Sequence, residues 1–218
     1  MSPTDNTILI TGGGTGIGRA LAEGLHQQGN QVVIAGRRRS VLDDTVRANP
    51  GMRALTLDIE NPDDFQRFVG EVKAEFPNLN VLINNAGIMK MEDLKSGPEI
   101  LATAEQTIAI NLLGPIRLTA ALLPTLLAQP QATVMTVTSG LAFVPMAPTA
   151  TYCATKAALH SWTQSLRFQL KGTPVEVLEI APPYVQTELM GSHQATDERA
   201  MPLADYIAET LTLLKNPP

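Results

Sequence analysis

One cysteine, Cys153, stands in 218 residues, so an internal disulfide and a multi-cysteine zinc site are both excluded. Histidine is nearly as scarce. His26 and His193 have no carboxylate or second histidine at ligand spacing, His160 lies on a helical face, and no metal is expected. Basic residues, sixteen against twenty-one acidic, leave a formal net charge of −5 and no cationic excess to neutralise phosphates, which argues against nucleic acid as a partner. The first apolar stretch, Ile8–Ile10, is too short for a signal peptide. The longest, Ile108–Ala128, is interrupted by Asn111, Pro115, Arg117 and Pro124, so a buried helix is expected there and no membrane span. Repeats, linkers and low-complexity tracts are lacking too. What remains is 44% hydrophobic, enough for a full core, and is expected to be one globular domain over residues 1–218, located in the cytoplasm.

What is there alternates. Thr7–Thr11 is a short apolar run bounded by glycines and reads as a strand; Gly16 to Gln28 then places Ile17, Ala20, Leu21 and Leu25 on one helical face, with Gly29 as the stop. Val32–Ala35 is a second strand, Ser40 is placed to cap a helix to Ala48, and Arg53–Leu57 is a third strand. Asn61 and Pro62 read as N-cap and first position of a helix to Glu75. The second half predicts strands at Val81–Asn84, Thr133–Thr138 and Val175–Ala181, separated by helices over Ile100–Ala128 and Thr149–Leu170 and followed by one over Leu203–Lys215. Near-continuous apolar strands alternating with helices predict an α/β fold: a doubly wound parallel sheet with helices on both faces, in three layers.

Between the first strand and the first helix lies Thr11-Gly12-Gly13-Gly14-Thr15-Gly16-Ile17-Gly18. Glycines there let backbone N–H groups and a helix N-terminus approach a pyrophosphate, which predicts dinucleotide binding of the Rossmann type. A triphosphate P-loop is excluded because no Gly-Lys-Ser/Thr follows. After the second strand come Gly36, Arg37, Arg38 and Arg39, with no carboxylate before Asp43. An acidic residue would hold the ribose hydroxyl of NAD, whereas arginine accommodates the 2′-phosphate, so NADP(H) is favoured over NAD(H).

Tyr152 and Lys156 are four apart in a helical stretch and share a face. A neighbouring ammonium favours the phenolate, which an isolated phenol reaches only near pH 10. Ser139 lies thirteen residues upstream at the end of the fifth strand, on the side of the sheet where ligands bind. Pro115, four residues after Asn111, has no N–H to give the Asn111 carbonyl and leaves it free for a water.

Together, the glycine loop at 11–18, Asn84-Asn85-Ala86-Gly87, Ser139 and Tyr152-x-x-x-Lys156 resemble the short-chain dehydrogenase/reductases over essentially the whole chain. The resemblance implies a catalytic set of Asn111, Ser139, Tyr152 and Lys156, with Tyr152 as general acid or base. It implies cofactor contacts from Gly12, Thr15, Gly16, Ile17, Gly18, Arg37, Arg38, Asp58 and Ile59. Further contacts would come from Asn84, Ala86, Gly87, Tyr152, Lys156, Pro182, Val185 and Thr187. Helices 100–128 and 149–170 would pair two copies in a homodimer.

Two departures stand out. Pro182-Pro183-Tyr184 replaces the family's usual Pro-Gly, and the chain reaches Asn216-Pro217-Pro218 without the seventh strand the family usually has. Substrate loops are expected at 88–96, 140–148 and 184–202. They supply an apolar pocket from Ile88, Met89, Met91, Leu141, Phe143, Val144, Met146, Tyr184, Leu189 and Met190, with few cations. These readings predict hydride transfer between NADP(H) and a small apolar ketone, aldehyde or secondary alcohol. The alternative is a non-catalytic dinucleotide-binding sensor or scaffold; a methyltransferase would explain the glycine loop but not Ser139, Tyr152 and Lys156.

Overall fold

The computed structural model describes residues 2 and 4–215. Six parallel strands form one sheet: β1 (Thr7–Thr11), β2 (Gln31–Gly36), β3 (Arg53–Thr56), β4 (Val81–Asn84), β5 (Ala132–Val137) and β6 (Val175–Ile180). Their order is β3-β2-β1-β4-β5-β6, so the chain winds outward twice from a switch point between β1 and β4. The register pairs Ile8 with Val81 on one side of β1 and with Val32 on the other. Asn216–Pro218 lie outside the described residues.

Strand periodicity sorts the core into two layers. Leu9, Val33, Leu82 and Val134 face α3 (Pro62–Glu75) and α5 (Gly114–Leu127), meeting Phe68, Val72, Leu118 and Leu122. Ile8, Ile10, Val32, Ile34 and Ile83 face the other way, onto α1 (Gly16–Gln27), α2 (Arg39–Ala48) and α7 (Leu203–Lys215). A fully buried side chain such as Phe68 or Ile8 contributes about 1.5–3 kcal/mol relative to exposure.

Two local differences from the sequence reading have physical causes. Ser40 does not cap α2: the Leu42 N–H donates to the Arg38 carbonyl, the helix starts at Arg39, and Arg38 occupies the N-cap. The expected helix over 100–128 is divided into α4 (Leu101–Ile108), a π-turn (Ala109–Leu113) and α5. In that turn Gly114 N–H donates to the Ala109 carbonyl, five residues back. The shift places Pro115 in the first turn of α5, where its missing N–H costs least.

The stretch Leu94–Leu127 is long and apolar enough to cross a membrane, but Leu118, Leu122 and Leu126 are fully buried against the sheet as part of its core. The last long helix, α6 (Ala150–Gln169), carries Tyr152 and Lys156 past the end of β5.

Candidate active site

The loop after β1 and the loop after β4 are joined to each other. Thr11 Oγ1 accepts the N–H groups of Asn85 and Ala86, at 3.0 and 3.1 Å, while Asn85 Nδ2 returns a 2.9 Å bond to the Thr11 carbonyl. Gly12, at φ +68°, lets these backbones touch, since a Cβ there would lie 3.0 Å from Ala86 Cα. A Cβ on Gly18 would collide with the Gly12 carbonyl oxygen. Thr15 sits at the N-cap of α1 but makes no side-chain cap bond, and the first turn holds no acidic residue. The positive end of this helix therefore faces the cleft without a protein counter-charge, a fit for an anionic pyrophosphate.

A slot of about 250 Å³ lies beside this loop, lined by Ala35, Gly36, Val41, Leu42, Ile59 and Ile110. Arg37 and Arg38 border both the slot and the main cleft. Arg37 Nη1 is 3.6 Å from Glu60 Oε2. Glu60 also accepts from Gln106 Nε2 at 3.3 Å, and Gln106 Oε1 accepts from Lys90 Nζ at 2.9 Å. Arg38, among the described residues, has no side-chain partner, whereas Arg39 is bound to Asp43 at 2.8 Å. Sequence reasoning missed Glu60, because the pairing crosses from one strand end to the next.

A larger cleft of about 1230 Å³ contains the chemistry-bearing side chains. Ser139, Tyr152 and Lys156 border it together with Gly16, Ile17 and Gly18. Tyr152 is 6% exposed, and burial pushes its phenol above the ordinary value, partly opposed by a hydrogen bond with Ser139. The net lowering expected from Lys156 is therefore not what this structure shows; burial dominates. Lys156 is 4% exposed, donates from Nζ to the Val137 carbonyl at 2.8 Å, and lies 5.7 Å from the Tyr152 ring centroid. Burial brings its ammonium down to about 8.

Asn111 is fully buried inside the π-turn. Its amide clips the backbone of Ile88, accepting the N–H at 2.9 Å and donating to the carbonyl at 2.8 Å, with a third bond of 3.4 Å to Thr155 Oγ1. Its side chain thus braces the turn after β4 and does not line the cleft.

Ala86, Gly87, Pro182, Val185 and Thr187 do line it, as do Thr15 and Gly12. Thr187 approaches Gly16 and is held by buried Gln194, which donates to Thr187 Oγ1 at 3.0 Å and to the Val185 carbonyl at 2.8 Å. Tyr184 donates to Asp197 at 3.0 Å, and Arg199 grips the same carboxylate at 2.7 Å, keeping it far below the usual carboxylate range. Lys90 and Arg199 also border the cleft, so it is less poor in cations than the loops suggested.

Five side chains expected at the cofactor or the substrate do not line the cleft in this structure. Asn84 turns away from the cleft to donate to Thr119 Oγ1 at 2.9 Å, and Asn85 borders the cleft instead. Asp58 folds its carboxylate back onto the Glu60 N–H at 3.1 Å. Met91 and Val144 point to solvent, and Phe143 packs edge-on against His160 with ring centroids 4.7 Å apart. Cys153, between Tyr152 and Lys156 in the sequence, is buried.

The sequence pattern described as short chain dehydrogenase matches residues 6–198. An uncharacterized oxidoreductase, DltE, of Bacillus subtilis (strain 168) is 46% identical over 189 residues, covering 87% of this chain and 75% of that protein. A putative NAD(P)-dependent gluconate 5-dehydrogenase from Beutenbergia cavernae, with bound NADP, superposes with a TM-score of 0.85 at 26% identity, over 97% of this chain and 90% of that one. A short-chain dehydrogenase from Sphingobium yanoikuyae in complex with NADPH gives 0.86 at 25% identity, over 96% and 84%. With the doubly wound sheet, the glycine loop and the serine, tyrosine and lysine at one cleft, the chain is an NAD(P)-dependent oxidoreductase and belongs to the short-chain dehydrogenase family.

Proposed function

We propose that the chain interconverts an apolar ketone or aldehyde and the corresponding alcohol, such as a secondary alcohol, using NADP(H), in the cytoplasm. The observation that carries this reading is the convergence of Ser139, Tyr152 and Lys156 on the cleft that the glycine loop also borders. The bound nicotinamide supplies or accepts the hydride. In reduction, Tyr152 gives its phenolic proton to the substrate oxygen; in oxidation, the phenolate takes it back. Ser139 hydrogen-bonds the same oxygen, and its contact with the phenol offsets part of what burial costs the phenolate. Lys156 adds positive charge beside the ring and holds the nicotinamide ribose. The Asn111 main-chain carbonyl, which Pro115 cannot satisfy, accepts a water that returns protons to the site.

The α1 N-terminus and its glycines receive the pyrophosphate, Ile59 packs on the adenine, and Arg37 and Arg38 take the 2′-phosphate. Ile88, Met89, Leu141, Met146, Leu189 and Met190 form the apolar wall for the substrate. Leu101, Ile108 and Phe168 expose apolar surface on the two helical stretches expected to pair, which supports a homodimer.

Fluorescence titration with NADPH and NADH, followed by a turnover screen of apolar and phosphorylated carbonyls, tests the reading. Tighter NADPH binding with apolar carbonyls as best substrates is expected. Preference for NADH, or for small phosphorylated carbonyls, would overturn the respective half.

A further inference from the structure

Helix α6 begins without a cap of its own. Thr149 occupies the N-cap position and makes no side-chain cap bond, because its hydroxyl donates to the Met146 carbonyl at 3.2 Å. The first turn carries no acidic residue either. Left so, the Thr151 N–H would be an unsatisfied donor immediately before Tyr152. Glu92, fifty-nine residues upstream, fills this gap: its Oε2 accepts the Thr151 N–H at 2.7 Å. Its own N–H donates to the Pro148 carbonyl at 2.8 Å. One residue therefore ties the loop at 88–96 to the loop at 140–148 and to the start of the tyrosine-bearing helix. The other carboxylate oxygen, Oε1, is buried and has no hydrogen-bond partner. A buried unpaired carboxylate oxygen is costly, and the positive end of α6 is the feature beside it that favours a negative charge.

We propose that Glu92 is a positioning residue for the reaction: it fixes the first turn of α6, and through it the phenol of Tyr152, relative to the substrate loop. It touches neither the substrate nor the cofactor. This inference rests on Tyr152 being the acid or base, since only then does the placement of that turn set a rate. Glu92 also differs from an ordinary cap in being supplied by a substrate loop. Displacing that loop then displaces the phenol, and kcat responds along with KM.

The test compares Glu92→Ala, Glu92→Asp and Glu92→Gln with the unaltered chain, with kcat and KM measured per NADPH-binding site. The alanine and aspartate variants, one without a carboxylate and one too short to reach, lose about tenfold in kcat with NADPH affinity unchanged. The glutamine variant keeps an accepting oxygen and recovers most of the rate. Should the alanine variant fail to fold, the aspartate and glutamine pair carries the same comparison. Full kcat in the aspartate variant, or equal loss in aspartate and glutamine, overturns the proposal. If the unaltered chain turns over no carbonyl or alcohol, the proposed function fails. The positioning claim then still has its own readout, ultraviolet titration of the Tyr152 phenol, taken as the difference from Tyr152→Phe. A changed Tyr152 titration in Glu92→Asp, restored in Glu92→Gln, supports the claim; identical titrations refute it.

Discussion

Lys156 and Val137 are joined by a 2.8 Å hydrogen bond from Nζ to the main-chain carbonyl at the last residue of β5. The bond aligns the ammonium with the end of the strand that leads to Ser139, two residues on, so one contact sets the spacing between two of the three convergent side chains. The same burial that holds Lys156 in place lowers its pKa from 10.5 to about 8.

A pH dependence follows, with a defined sign. Between pH 8 and 10.5 the unfolded chain keeps the Lys156 proton and the folded chain releases it, so this group makes stability rise with pH in that window, on the order of 3 kcal/mol in all. Below pH 8 both states are protonated and its slope vanishes. Activity runs the other way. In carbonyl reduction kcat/KM falls above about pH 8 as the ammonium beside Tyr152 loses its charge. Urea midpoints and kcat/KM profiles of the chain and of Lys156→Met check both, and the variant is expected to lose the rising stability limb.

The two arginines after β2 are not equivalent. Arg37 lies near Glu60, whereas Arg38 has no side-chain partner among the described residues and is free for a phosphate. Arg38→Ala is therefore expected to weaken NADPH binding by about tenfold and Arg37→Ala by about threefold, with NADH unaffected. Glu60→Gln, which releases Arg37, strengthens NADPH binding. Unchanged NADPH affinity in both variants would show that the arginines form only a solvated turn, and equal losses for NADPH and NADH would show that they do not read the 2′-phosphate.

Gly18→Ala places a methyl group against the Gly12 carbonyl oxygen, a backbone atom with little room to move. The variant is expected to be less stable by about 1–3 kcal/mol and to lose nicotinamide-cofactor binding, measured by thermal unfolding and fluorescence titration.

The proposed dimer makes a surface prediction. Leu101 is 54% exposed on α4, and Leu101→Glu is expected to convert a dimer into a monomer by light scattering while leaving the far-ultraviolet spectrum unchanged.

How much of this was legible in the sequence depends on the range of the interactions involved. β1, β4, α3 and α7 fall where their apolar runs and caps place them, and Asn61 caps α3 by accepting from Asp63 and Asp64. These signals are local. The glycine loop, Ser139, Tyr152 and Lys156 were legible because each sits at a strand end or on a helix face that the winding of the sheet brings to one side. The π-turn was only half legible: Pro115 announces that the helical ladder must change, but whether by a kink or by a register shift depends on packing against Ile59 and the sheet. Contacts between distant segments left no local signal. Glu60 beside Arg37 and Glu92 on Thr151 join separate segments, and Gln194 beneath Thr187 folds the loop 184–202 back on itself. The Asn84 side chain lies away from the cleft because successive residues of an extended segment point to opposite faces, so the asparagine at the end of β4 meets α5 and its neighbour meets the cleft.

The most direct test is the turnover of Tyr152→Phe, measured beside its NADPH affinity. The substitution removes the phenolic oxygen and leaves the ring. A fall of about a thousandfold in kcat with NADPH affinity within a few-fold of the unaltered chain is the predicted result. Undiminished turnover in that variant would contradict the assignment of Tyr152 as the proton donor and, with it, the proposed reaction mechanism.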